Sequence, residues 1–498
     1  MAPVNGKKFE TIVGELFSSL TFGEVSSFGL LMDVHAHRVA LGPPLDDASA
    51  PVGTTAVGAE PGLVPLPSLA PNSDEVPIES RSRLRRPRLL PLRDVVITGV
   101  GAILANCDNR ETLWQQLRTG SCQLRVEPDP ATQAPCAMGR VVDFDCGKYL
   151  PSVPARLYAS YGRDQQMYLA SVARASEDAG LKLDGTDTRH IGLYDGTSRG
   201  SFAYWYEVLR AGSPLTSREL IRGMPGQAVG LTAALLGIKG PTFTFNGTCA
   251  AGLIAIGHAF RELQTGRIEV ALATGHDSAL IEPIYQMYRN ANLVSNEASD
   301  PSRAIRPYAG NSGNAFGEGA VTLVLESRDH AERRGATILA EVLSFRHGNG
   351  GQHPTDVDFS GDRPAELIQE VLREATAQPQ QVDFVLGHGN GVLASDISEL
   401  NYMKRVFGRR TRQIPLISTK PIYGHTFGAS SALNVAAGAL MLQHDYVIPT
   451  VGIDERRVVH GFHHQANIGS PQALQHGLVV AYGIGGQNAA LLLKKEGT

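Results

Sequence analysis

The chain has five cysteines and two tryptophans in 498 residues, few aromatic residues (6%) and no marked excess of either charge (net −4). So few cysteines in so long a chain build no disulfide framework. Cys107, Cys122, Cys136 and Cys146 show no CxxC spacing, so no zinc site is expected among them. Nucleic-acid binding is not expected, because a surface that holds phosphates needs a basic excess. No window holds the roughly 18 or more uninterrupted apolar residues of a membrane span. The first residues lack a basic segment leading into an apolar run, so no signal peptide is expected either. These absences point to a cytoplasmic protein that neither crosses a membrane nor carries a resident metal.

What is present is an ordinary globular balance, 42% hydrophobic and 19% charged. The length exceeds what one core serves, about 250–300 residues. Two packed or pseudo-duplicated units are therefore expected, plus an extension. Residues 1–92 form that extension. Helical spacing runs from Phe9 to about Leu41, residues 42–80 are rich in Pro, Ala, Gly and Ser, and an arginine run follows from Arg81 to Arg93. The middle stretch cannot bury enough apolar surface to order itself, and the arginines read as a solvated linker end.

From Asp94 onward, apolar strands alternate with helices, the pattern of buried, mostly parallel sheets. VVITGVGA opens the first round, which runs over 93–330 and closes on GAVTLVLE (Gly319–Glu326). The second round, 331–498, ends with strands at His476–Tyr482 and Asn488–Lys494. Both rounds finish on a glycine turn feeding a short apolar strand, a weak internal repeat.

Four segments carry chemistry. In GPTFTFNGTCAAGLIAIGHA (240–259) an apolar strand breaks at Asn246-Gly247, and Cys249 stands where an apolar helix begins. Free N–H groups and the helix dipole at that point are expected to lower its pKa and favour the thiolate. In VLGHGNGVLASDISEL (385–400), His388 follows a strand inside a glycine-rich turn, and Asp396 and Glu399 share one face of the next helix. In STKPIYGHTFGASSALNVAAGAL (418–440), Lys420 and His425 lie on one connection ahead of a helix of small residues. In AYGIGGQNA (481–489), Gly483, Gly485 and Gly486 surround Ile484 in a tight turn that can aim backbone N–H groups at a ligand oxygen. Each segment alone is compatible with core packing or a solvated loop. Their combination and order are not so easily explained that way.

In this order the segments resemble the β-ketoacyl-acyl-carrier-protein synthases, the elongating ketosynthases of type II fatty acid and polyketide assembly. The resemblance covers about Arg93 to Lys495. Cys249 matches the nucleophile, and His388, Asp396 and Glu399 match the family's first histidine motif. Lys420, His425 and Gly428-Ala429 match the second, Gly317–Ala320 the GEGA motif, and Gly483, Gly485, Gly486 and Asn488 the closing loop. Three positions depart from it. Asn390 and Val392 replace the two threonines after the first histidine, Ile484 replaces the aromatic residue of the closing loop, and Asn311-Ser312-Gly313-Asn314 precedes GEGA.

The resemblance implies an α/β thiolase fold, a pseudo-duplicated five-layer αβαβα sandwich, in a homodimer or a heterodimer with a ketosynthase-like subunit. It also implies a Cys249-bound acyl group condensing with a malonyl-type thioester by decarboxylative Claisen chemistry. His388 and His425 would hold the enolate oxygen. Lys420, with Glu399 or Asp396, would fix the histidines, and the backbone N–H groups of Cys249 and Ile484 would hold the second oxyanion. Gly483, Gly485, Ile484 and Asn390 would border the substrate. The partner is an acyl carrier protein, whose phosphopantetheine carries the substrates, and no other cofactor is implied. An acyltransferase making an ester or amide without decarboxylation is the rival reading. A catalytically silent partner subunit would lack Cys249.

A chain begun near Arg88 is expected to fold with nearly unchanged thermal cooperativity. Loss of soluble protein on that truncation would show that the extension packs on the core.

Overall fold

The computed structural model describes residues 91–183, 187–212, 214–351 and 357–497. The helical spacing of Phe9–Leu41, the Pro-rich stretch and the arginines before Arg93 fall outside the described residues.

Ten strands form one continuous sheet: β1 (Val95–Ile103), β4 (Ile191–Thr197), β5 (Thr242–Asn246), β6 (Val270–Asp277), β7 (Gly319–Ser327), β8 (Ala340–Asn349), β9 (Phe384–Leu386), β10 (Leu416–Ile417), β13 (His476–Gly483) and β14 (Gln487–Lys494). Two small pairs stand apart, β2 (Arg125–Pro128) with β3 (Pro135–Met138) and β11 (Tyr446–Val447) with β12 (Ser470–Pro471). The large sheet runs β10-β9-β13-β14-β8-β1-β7-β6-β4-β5. It reads as one five-strand pattern laid down twice. In each half the first strand lies antiparallel to the last, the last antiparallel to the fourth, and the remaining neighbours parallel. The halves join where Val95–Ile97 pairs antiparallel with Val342–Ala340. The weak repeat in the two closing strands is thus the end of a full topological duplication.

In both halves a helix follows the third strand and packs inward. These are the nucleophile helix (Ala251–Gln264) and the histidine helix (Gly428–His444). They touch each other and both inner sheet faces. The helix Arg163–Asp178 covers the outer face of the first half, and Asp362–Glu374 that of the second, beside Leu393–Phe407. That is the expected five-layer α/β sandwich. The histidine helix is buried along its whole length from Gly428 to Leu442, which explains its small residues: any polar face would be buried without water.

Asn109 caps the helix Arg110–Thr119, its side chain accepting from the Thr112 N–H at 2.8 Å. The sequence pattern does not announce the helices Phe202–Arg210, Ser217–Arg222, Gln227–Leu236 and Glu282–Asn290. All four have ten residues or fewer, and QAVGLTAALL shows no polar face to mark its period. Two strands also outrun their apolar cores, β4 to Thr197 and β6 to Asp277. The added polar residues reach the active end of the sheet.

The central helices approach at backbone distance. A Cβ on Gly252 would stand 2.5 Å from the Gly428 carbonyl oxygen, and one on Gly275 would stand 2.4 Å from the same atom. Gly252→Ala is expected to cost about 1–3 kcal/mol through overpacking, read by chemical denaturation. Unchanged stability would mean that the two helices separate at no cost.

Candidate active site

Cys249 lies in a single 3₁₀ turn, Thr248–Ala250, between β5 and the nucleophile helix. Thr248, just before it, has φ of +51°, a left-handed conformation that a β-branched residue adopts only under constraint. The constraint is visible. The Thr248 hydroxyl lies 3.4 Å from the Ile484 carbonyl oxygen. A Cβ on Gly483 would stand 1.8 Å from Thr248 Oγ1 and 3.0 Å from the Cys249 nitrogen. The closing loop therefore rests directly on the nucleophile turn, and only glycine fits at 483. Gly485 is held through its carbonyl by the Asn349 amide at 2.7 Å. The Ile484 side chain remains 43% exposed.

His425 reaches the sulfur, with Nε2 3.1 Å from Cys249 Sγ. Its other nitrogen is fixed as an acceptor. The Phe427 N–H donates to Nδ1 at 3.1 Å, and Ser430 Oγ lies 3.0 Å from it. The ring proton thus sits on Nε2 and points at the sulfur. Phe427, with φ of +51°, bends the chain so that its own N–H reaches back to this ring. Of the two imidazoles, His425 is in contact with the sulfur. His388 is the open one: its ring lies 5.5 Å from that of His425 and packs 4.3 Å over Tyr482.

The supporting groups divide their work. Lys420 Nζ donates to the His388 carbonyl. Glu399 accepts from the backbone N–H groups of His388 at 2.8 Å and Gly389 at 2.7 Å, and from the hydroxyls of Tyr308 and Tyr402. Glu399 therefore holds the His388 turn directly. Asp396 does not; it accepts from the Tyr308 N–H at 2.7 Å and acts one residue removed. Asn390 is buried and turned into its own loop, accepting from the Val392 N–H at 3.1 Å. That bond braces the turn.

Burial decides the charges. Both histidines fall well below the ordinary imidazole range, first through desolvation and then through the Lys420 charge, so both are neutral. Lys420 is itself lowered to about 8 by burial, and Asp396 is pushed well up by burial. The expected low-pKa thiolate is not found. Burial carries the Cys249 thiol up to about 11, against the opposing pull of Lys420, Arg199 and its own backbone N–H. The helix terminus acts in the expected direction, but desolvation is the larger effect.

Sequence reasoning missed Asp277, Arg199, Tyr288, Tyr308 and Ser430. Asp277, fully buried at the end of β6, accepts from the Gly428, Ser198 and Arg199 N–H groups and the Thr197 hydroxyl. It ties β4, β6 and the histidine helix together beside the nucleophile. A carboxylate directly after an apolar strand was the available signal.

Two family models account for most of the chain: the β-ketoacyl synthase N-terminal domain over residues 92–331 and its C-terminal domain over 339–454. The chain belongs to the β-ketoacyl synthase family. It is 28% identical over 419 residues to 3-oxoacyl-[acyl-carrier-protein] synthase 2 of Vibrio harveyi, covering 81% of this chain and 99% of that one. It is 30% identical over 375 residues to nodulation protein E of Rhizobium leguminosarum bv. trifolii, covering 73% and 90%. Among solved structures, a β-ketoacyl synthase from Burkholderia phymatum superposes with a TM-score of 0.74 at 26% identity, over 81% of this chain and all of that one. The ishigamide ketosynthase/chain length factor gives 0.73 at 27%, over 82% and 100%. The thiolase fold and a condensing-type acyltransferase follow. No helix among the described residues is long and apolar enough to cross a membrane.

As a ketosynthase with a buried thiol, the chain should show alkylation of Cys249 that climbs with pH and reaches no plateau below about pH 10. Because the neighbouring Lys420 charge pulls the thiol down, Lys420→Met should slow that alkylation at neutral pH. Half-buried Cys122 should compete for small reagents such as iodoacetamide. A plateau near neutrality, followed by mass spectrometry of the Cys249 peptide, would reinstate the dipole-stabilised thiolate.

Proposed function

We propose that this ketosynthase loads an acyl group on Cys249 and condenses it with a malonyl-type unit carried by an acyl carrier protein. The observation that carries the reading is the Nε2–H of neutral His425 aimed at the Cys249 sulfur at 3.1 Å, with His388 beside it. In the first step the sulfur attacks the incoming thioester, the carrier's C–S bond breaks, and the carrier thiol leaves with the proton. The exchange is proton-neutral, so a thiol pKa of about 11 does not block it. In the second step the extender's C–CO2 bond breaks. The electron pair moves to the α-carbon, and the enolate oxygen accepts hydrogen bonds from His425 and His388. Neutral imidazoles suit this role, because they donate without first taking up a proton. The α-carbon then attacks the Cys249 acyl carbonyl. The new C–C bond forms, the oxyanion accepts from the N–H groups of Cys249 and Ile484 and collapses to the ketone, and Cys249 leaves as a thiolate that takes up a proton from water.

The two halves, 93–330 and 331–498, serve as one catalytic unit in this reading, since one supplies the sulfur and the other the histidines. The phosphopantetheine arm belongs to the carrier protein, and no further cofactor is called for. A second ketosynthase-type subunit would pair along β5, an edge strand whose Phe243 is 44% exposed. The reaction belongs in the cytoplasm, where carrier proteins of the type that names the Vibrio relative would meet it.

Incubation with malonyl carrier protein tests the reading. CO2 release is expected. His425→Ala should cut it by about 10²-fold or more, as loss of an oxyanion donor does, while Cys249→Ala should still release CO2 but form no product. Transfer of an acyl group with no CO2 from any form would favour ester or amide synthesis instead.

A further inference from the structure

Arg199 sits in the turn after β4, and nothing in the reaction above uses it. Its guanidinium lies over two rings, 5.4 Å from the centre of Tyr288 and 5.7 Å from that of Phe427. Phe427 stacks on His425 at 5.3 Å, and His425 touches Cys249. One Nη donates to the Tyr288 hydroxyl, while Nε is buried with no hydrogen-bond partner. Among the described residues Arg199 makes no ion pair.

The carboxylate nearest in the chain of contacts, Asp277, cannot supply one. It accepts four hydrogen bonds, from Thr197 Oγ1 and the Arg199 N–H on one oxygen and from the Ser198 and Gly428 N–H groups on the other. That uses the acceptor capacity of a carboxylate. Tyr288 is no counter-charge either, since burial pushes its phenol to about 12. Arg199 is thus an uncompensated cation, partly removed from water, whose field reaches the nucleophile and His425. Lys420, the other cation near the site, is already committed to the His388 carbonyl.

We propose that Arg199 forms an acceptor subsite for an electron-rich oxygen, a carboxylate or a ketone, on the acyl chain bound to Cys249. This rests on the ketosynthase reading and adds its substrate class. The extender's own carboxylate is the wrong occupant. A cation held against it would stabilise the ground state and oppose its departure as CO2. An oxygen on the acyl chain stays through the reaction, and pairing with it would satisfy the idle Nε–H. The Tyr288 and Phe427 rings would flank the chain's methylenes.

The test compares adipoyl, β-ketohexanoyl and hexanoyl thioesters of a carrier protein, with Cys249 acylation followed by intact mass. The native chain should accept one or both oxygenated groups faster than hexanoyl. Arg199→Met should slow the preferred oxygenated group about tenfold or more beyond any slowing of hexanoyl, the scale of a lost charge-assisted hydrogen bond; the lost pull on the Cys249 thiol acts on all three alike and cancels in the ratio. Arg199→Lys should keep part of the preference, which guards against a folding defect in the Met variant. Which of the two oxygenated groups responds tells carboxylate from ketone. Equal slowing of all three, or a native preference for hexanoyl, overturns the subsite while the ketosynthase reading stands. Failure of every thioester to acylate Cys249 sinks that reading and the subsite with it.

Discussion

The active site depends on two helices meeting without side chains between them. The nucleophile helix and the histidine helix start from opposite halves of a duplicated sheet, so Cys249 and His425 belong to segments far apart in sequence. They meet because Gly252 and Gly275 let the backbone at Gly428 come in against them. A methyl group at either position would enter the space of a carbonyl oxygen. Asp277 then fixes the approach by accepting the Gly428 N–H along with the turn after β4. The 3.1 Å sulfur-to-imidazole contact is a consequence of that packing.

The same packing sets the chemistry through desolvation. Enclosing the site strips water from every ionisable group in it, so the histidines are neutral and the cysteine is protonated. A helix terminus and two cations shift the thiol in the other direction but do not outweigh its burial. The result is a site of neutral imidazoles, which in the proposed reaction need not reorganise as negative charge develops. Local strain accompanies this arrangement. Thr248 and Phe427 both hold positive φ, one beside the nucleophile and the other beside the histidine it polarises. Thr248 meets the Ile484 carbonyl, and Phe427 returns its N–H to the His425 ring.

Much of this was legible beforehand, and the reasons are local. A cysteine at a strand-to-helix junction, histidines next to glycine, and a triple-glycine turn are patterns within a single segment. The alternation of strands and helices placed nearly every sheet strand, because buried parallel strands are written as apolar runs. The less legible residues take their roles from their surroundings. Asp277 and Tyr308 act by hydrogen bonds to segments distant in the chain, Ser430 by folding back onto His425, and Arg199 gains meaning only from having no ion pair among the described residues. Between Glu399 and Asp396, the two carboxylates that share a helix face, only the contacts show that Glu399 takes the His388 and Gly389 N–H groups while Asp396 takes that of Tyr308.

By itself, then, the sequence determined the layered α/β architecture and singled out Cys249, the histidine pair and the closing loop as the candidate site, since each is encoded in short-range pattern. Tertiary structure alone decided that His425 meets the Cys249 sulfur, that Cys249 is held as a thiol, and that Arg199 makes no ion pair among the described residues. Those properties arise from burial and from partners supplied by the other half of the sheet, and no single stretch of chain contains them.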